Sequence, residues 1–132
     1  MIDFDNETEN FESSLSKSLS PLHFLTVRIT YNKASKRMNI PHLLRLRFMQ
    51  SPYIRLYWEI ASETFYIDFR PNEDDIIPEG VDYRNANIIQ TGRGYFLTLP
   101  TKWFKNIQPT KASLMQLEEK RTVYKVQFYG ND

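Results

Sequence analysis

The stretch Lys36-Arg37-Met38-Asn39-Ile40-Pro41-His42-Leu43-Leu44-Arg45-Leu46-Arg47-Phe48 decides the fold. Met38 and Ile40 alternate with polar neighbours, the period of a half-buried strand, and Pro41 stops the run where its fixed φ suits the first turn of a helix. Leu44 and Phe48 then fall four residues apart, on one face of a short helix. The same pattern returns 59 residues later, in Leu97, Leu99, Pro100, Trp103 and Ile107.

Sliding the chain by 59 residues extends the match without a gap: Ile29 falls on Ile88, Pro41 on Pro100, Glu59 on Glu118 and Phe69 on Phe128. Leu56 falls on Met115, Phe65 on Tyr124 and Ile67 on Val126, so the hydrophobic phase is kept as well. Each half therefore predicts a strand (Leu25 to Tyr31; Ala86 to Gln90), a polar turn, a second strand, a short helix and two more strands. Period-two alternation places Ile54, Leu56, Trp58, Phe65, Ile67 and Phe69 inward in the first half, and Met115, Leu117, Tyr124, Val126 and Phe128 inward in the second. It leaves Arg55, Tyr57, Tyr66, Asp68, Lys125 and Gln127 outward. The expected fold class is mainly β with short helices, two tandem ββαββ halves forming one barrel-like core. The expected organisation is a mobile acidic, Ser-rich tail over 1–22, a first half-repeat over 23–70, an acidic linker over 71–84 and a second half-repeat over 85–129. The Glu73-Asp74-Asp75 run in that linker reads as a solvated loop.

The absence of cysteine removes thiolate catalysis, disulfide frameworks and cysteine metal sites. His23 and His42 sit at no metal-ligand spacing, and there is no Gly-rich phosphate loop or nucleophile elbow. No apolar run approaches the ~20 residues that span a bilayer, and the acidic start Met1-Ile2-Asp3-Phe4-Asp5 is unlike a secretory signal. These features predict a cytoplasmic, non-enzymatic protein with no cofactor, no metal, no membrane contact and no small-molecule substrate.

The net charge of +1 averages over blocks of opposite sign. Residues 24–60 carry seven bases against one acid, and 85–111 carry four bases and no acid, whereas 1–20 and 61–84 are acidic. Both basic blocks fall on the same part of the two repeats, which suggests one positive surface that attracts phosphates. The candidate nucleic-acid-binding residues are Arg28, Lys33, Lys36, Arg37, Arg45, Arg47, Arg93, Lys102 and Lys105.

The run from Lys36 to Phe48 and its counterpart from Gly92 to Ile107 resemble the swapped-hairpin AbrB family and its tandem MraZ relatives. That family's pattern is a turn containing Gly and Arg, a strand ending in Ile-Pro, a short helix and a hydrophobic strand pair; the first copy here ends its strand in Ile40-Pro41 but has no glycine in its turn. The resemblance implies a DNA-binding transcription regulator with interleaved hairpins, Arg37 and Arg93 near the turns as contacts, duplex DNA as partner, and further dimerisation. Two other readings compete. In one, Tyr53, Tyr57, Tyr66 and Tyr95 stack the bases of single-stranded DNA or RNA. In the other, the chain is an antitoxin-like or phage accessory adaptor whose basic face meets an acidic protein.

Overall fold

Alternation of apolar and polar side chains turns most of the chain into strands. The computed structural model describes residues 23–32, 35–49, 53–92, 94–104 and 107–130, so the tail expected over 1–22 lies outside the described residues. The elements in chain order are β1 (Phe24–Asn32), β2 (Ser35–Ile40), α1 (His42–Phe48), β3 (Tyr53–Glu59), β4 (Thr64–Asp68), β5 (Val81–Asn87), β6 (Ile89–Thr91), β7 (Gly94–Thr98), β8 (Lys111–Gln116) and β9 (Val123–Tyr129). They form one antiparallel sheet in the order β5-β3-β4-β9-β8-β1-β2-β7-β6. Because β5 and β6 follow one another through Ile88, the two ends of this order are one run of chain, and the sheet nearly closes into a barrel. Val27, Ile29, Met38, Ile40, Ile54, Leu56, Phe65, Ile67, Leu97, Leu114, Tyr124 and Val126 fill its interior.

The repeat is visible in the strand registers. In β1·β2, Thr30 faces Arg37 and Tyr31 faces Lys36; 59 residues on, in β6·β7, Ile89 faces Phe96 and Gln90 faces Tyr95. In β2·β7, Met38 faces Leu97, its own repeat counterpart, so this pair lies on an approximate two-fold axis. The β4·β9 pair obeys the same exchange, with Phe65 facing Val126 and Ile67 facing Tyr124. The halves are interleaved, since β1 of the first pairs with β8 of the second and β3 of the first pairs with β5 of the second.

Both prolines enter equivalent turns. The Leu44 N–H donates to the Pro41 carbonyl at 3.1 Å, and the Trp103 N–H to the Pro100 carbonyl at 3.2 Å. In the first copy α1 follows and buries Leu44 and Phe48. In the second, 101–103 form a turn; Phe104 is the fully buried side chain, while Trp103 and Ile107 are only partly buried against the core. Trp103 is held near the surface because its indole N–H donates to Asp82 at 3.1 Å.

Three expectations are corrected. First, β8 turns Ala112, Leu114 and Gln116 inward and leaves Met115 outward, 47% exposed. Shifting a strand by one residue exchanges its faces, and the phase expected from the repeat would have buried Lys111 and Ser113 to hide one methionine. Second, Arg55, Tyr57, Tyr66 and Asp68 do point away from the barrel interior but are buried. Third, the cause of that burial is the segment expected to be a solvated linker. Residues 71–80 lie across β3 and β4 as a strap, and Val81 to Arg84 already belong to β5. Ile77 packs on a second cluster of Tyr57, Tyr66, Leu117 and Val123. Asp75 anchors the strap, meeting the Arg55 guanidinium and the Lys120 ammonium at 3.4 Å each, while Lys120 also reaches Asp68 at 3.4 Å. Arg55 further donates to the Asn85 side chain at 3.0 Å and the Asn72 carbonyl at 3.1 Å.

Candidate nucleic-acid interface

Among the described residues no strap crosses the outer face of β9-β8-β1-β2-β7. Strand parity sends Thr26, Arg28 and Thr30 of β1, Arg37 and Asn39 of β2, Lys111, Ser113 and Met115 of β8, and Lys125, Gln127 and Tyr129 of β9 to this side. Arg28 stands directly opposite Lys111, and both are exposed. Arg37 faces Thr30, two positions along the same face from Arg28. Its guanidinium carbon lies 4.4 Å from the centre of the Phe96 ring, a cation–π contact, and its Nε has no hydrogen-bond partner among the described residues. Lys125 stands at the far edge, opposite Met115.

The strands themselves are segregated by charge. None of β1, β2, β6, β7, β8 and β9 contains an acid; the strand acids are Glu59 on β3, Asp68 on β4 and Asp82 on β5. Like charges directly opposite across two strands are destabilising, so the Arg28–Lys111 pair opposes stability unless an anion lies between the two side chains. Tyr129 ties the face together. Hydrogen bonds from Thr26 and Ser113 pull its phenol below the usual tyrosine value, with Lys111 adding to the effect.

Of the residues expected on this surface, Arg28 and Arg37 share it. Lys36 does not: it follows the inward parity of Met38 and Ile40, is buried, and its ammonium donates to the Phe104 carbonyl. Arg45 and Arg47 sit in the last turn of α1, where cations complement the helix dipole. The Arg45 guanidinium carbon lies 3.8 Å from the centre of the Tyr95 ring, and His42 stacks on the same ring at 5.5 Å. Lys102 is exposed on the β5 side and pairs with Asp82 at 3.5 Å. Lys33, Arg93 and Lys105 lie outside the described residues. Lys111 and Lys125 were missing from the expected site. The parity of Lys111, Ser113 and Met115 against Ala112 and Leu114 is the signal that would have found Lys111.

The tyrosines expected to stack bases are differently placed. Tyr57 and Tyr66 are buried beneath the strap, and Tyr95 is engaged by Arg45 and His42. Compared with family models, curated proteins and solved structures, the chain matches none. Among the described residues no group of three or more His, Cys, Asp or Glu side chains could hold a metal ion, and no helix is long and apolar enough to cross a membrane.

Proposed function

We propose that the protein binds nucleic acid, with the phosphates of duplex DNA lying across β8, β1 and β2, and that it acts as a DNA-binding regulator. The observation carrying this reading is the outer face of strands that contain no acid, on which Arg28 and Lys111 stand opposed with no carboxylate between them among the described residues. A phosphate between the two side chains would relieve their repulsion and release counterions. Thr30 and Asn39 on the same face offer a hydroxyl and an amide donor to further phosphate oxygens, contacts that position a duplex without reading its sequence.

The test is a salt series of duplex binding with the Arg28→Ala/Lys111→Ala double variant. Losing two phosphate contacts should lower the log–log salt slope by about 0.9 for each and weaken binding uniformly across sequences. Folding should survive, because exposed substitutions usually change stability by less than about 0.5 kcal/mol. A folded double variant with unchanged affinity and slope would show that DNA does not use this face.

A further inference from the structure

One end of the barrel is left open as an aromatic groove. Its volume is about 720 Å³, within the ~300–1,000 Å³ of small-ligand pockets. Trp58 at the end of β3 and Trp103 after Pro100 stack on one another in its wall, ring centres 6.0 Å apart and planes 9° from one another. Phe104 packs edge-on against Trp58 at 5.3 Å, and Phe65 stacks with Phe128 at 6.0 Å. The Trp103 ring is held in place by its bond to Asp82, so the groove wall is organised before anything binds. Both indoles remain partly exposed. At the equivalent position of the first copy, the buried side chains of α1 lie against the core.

The rim carries Lys102, Lys125, Gln127 and Thr64, with one exposed carboxylate, Glu63, beside Thr64. Lys125 and Gln127 also belong to the basic face, on the outer side of β9. A strand whose phosphates follow that face towards Lys125 therefore arrives at the groove. We propose that the groove takes unpaired bases from the end or a frayed stretch of the bound nucleic acid. This rests on the nucleic-acid reading above and adds to it a site for the bases. Every base has a π face for an indole, so recognition here is by stacking and tolerates sequence. The Gln127 amide and Thr64 hydroxyl stand on the rim as hydrogen-bonding groups for base edges or sugar, and Lys125 supplies positive charge for a flanking phosphate, Lys102 being paired with Asp82.

The chain has two tryptophans, and both line this groove, so tryptophan emission, excited selectively over the eight tyrosines, reports on it. Three probes are titrated: a blunt duplex, the same duplex with a short oligothymidine overhang, and free oligothymidine. Anisotropy of the labelled DNA reads binding, and tryptophan emission reads the groove. The overhang should quench the emission and tighten binding about 5- to 150-fold relative to the blunt duplex, the range expected for one stacked base. The blunt duplex should bind with little quenching. Equal affinity for blunt and overhang duplexes with no change in emission overturns the groove inference and leaves the basic-face reading intact. Quenching by free oligothymidine with no duplex binding retains the groove and overturns the duplex reading, while binding of none of the three overturns both.

Discussion

Tyr57 shows how a side chain on the outer face of a sheet can still be interior. Its position on β3 is the one alternation assigns, yet the strap covers it, and burial pushes its phenol from 10.0 up to about 12, with the Arg55 hydrogen bond pulling the other way. A phenol whose pKa is raised by folding binds its proton more tightly in the folded state. Its contribution is fully present below the unfolded pKa and is lost as pH rises through the folded one. Stability should therefore fall between pH 10 and pH 12, and fall less steeply in Tyr57→Phe, as measured by denaturant midpoints. Identical slopes would mean that the phenol is solvated. Lys36 teaches the converse lesson. Its charge suggested a surface role, but its parity with Met38 and Ile40 was the better guide, and the aliphatic stem reaches through the core to a carbonyl 68 residues away. The strand registers bring Arg28 and Arg37 to one face because each alternates with inward apolar neighbours, Val27 and Ile29 for one and Met38 for the other.

At the scale of elements, the strands and both proline-led turns were legible, since alternation and proline are local signals. The strap was not. Its acidic, breaker-rich composition is that of a solvated loop, and the partners that change its meaning lie far along the chain, Arg55 at 20 residues and Lys120 at 45 from Asp75. Removing one member of a buried charge cluster leaves the others uncompensated, so Asp75→Ala should destabilise the fold by about 3 kcal/mol. Glu73→Ala, at an exposed position of the same segment, should change the thermal midpoint little. Equal effects of the two would show that the strap does not depend on Asp75. The register of β8 was misread for a related reason: the repeat fixes which strands correspond, but a loop one residue shorter in one copy moves its strand by one position, and only the burial cost of Lys111 and Ser113 reveals it.

Across the whole molecule, near-duplicate halves have diverged in what they present. Among the described residues the outer face of β8·β1 is basic and uncovered, whereas its two-fold counterpart on β3·β5 carries Glu59 and is partly covered by the strap. One approximately symmetric barrel thus has its cationic strand face on one side only among the described residues, and the repeat alone could not say which. The halves also cannot stand alone, because each obtains its sheet neighbours from the other. Residues 1–80 and 81–132, made as separate chains, should show no cooperative melting individually and recover a folded circular-dichroism spectrum on mixing. Cooperative melting of either fragment by itself would contradict this. The pairing of β1 with β8 and of β3 with β5 also sets a schedule for synthesis. When β3 leaves the ribosome, the strand that completes β1 is still some fifty residues from being made. At about 5–20 residues per second, the edge of β1 that β8 completes stays unpaired for several seconds, long enough for chaperones or neighbouring nascent chains to reach it first.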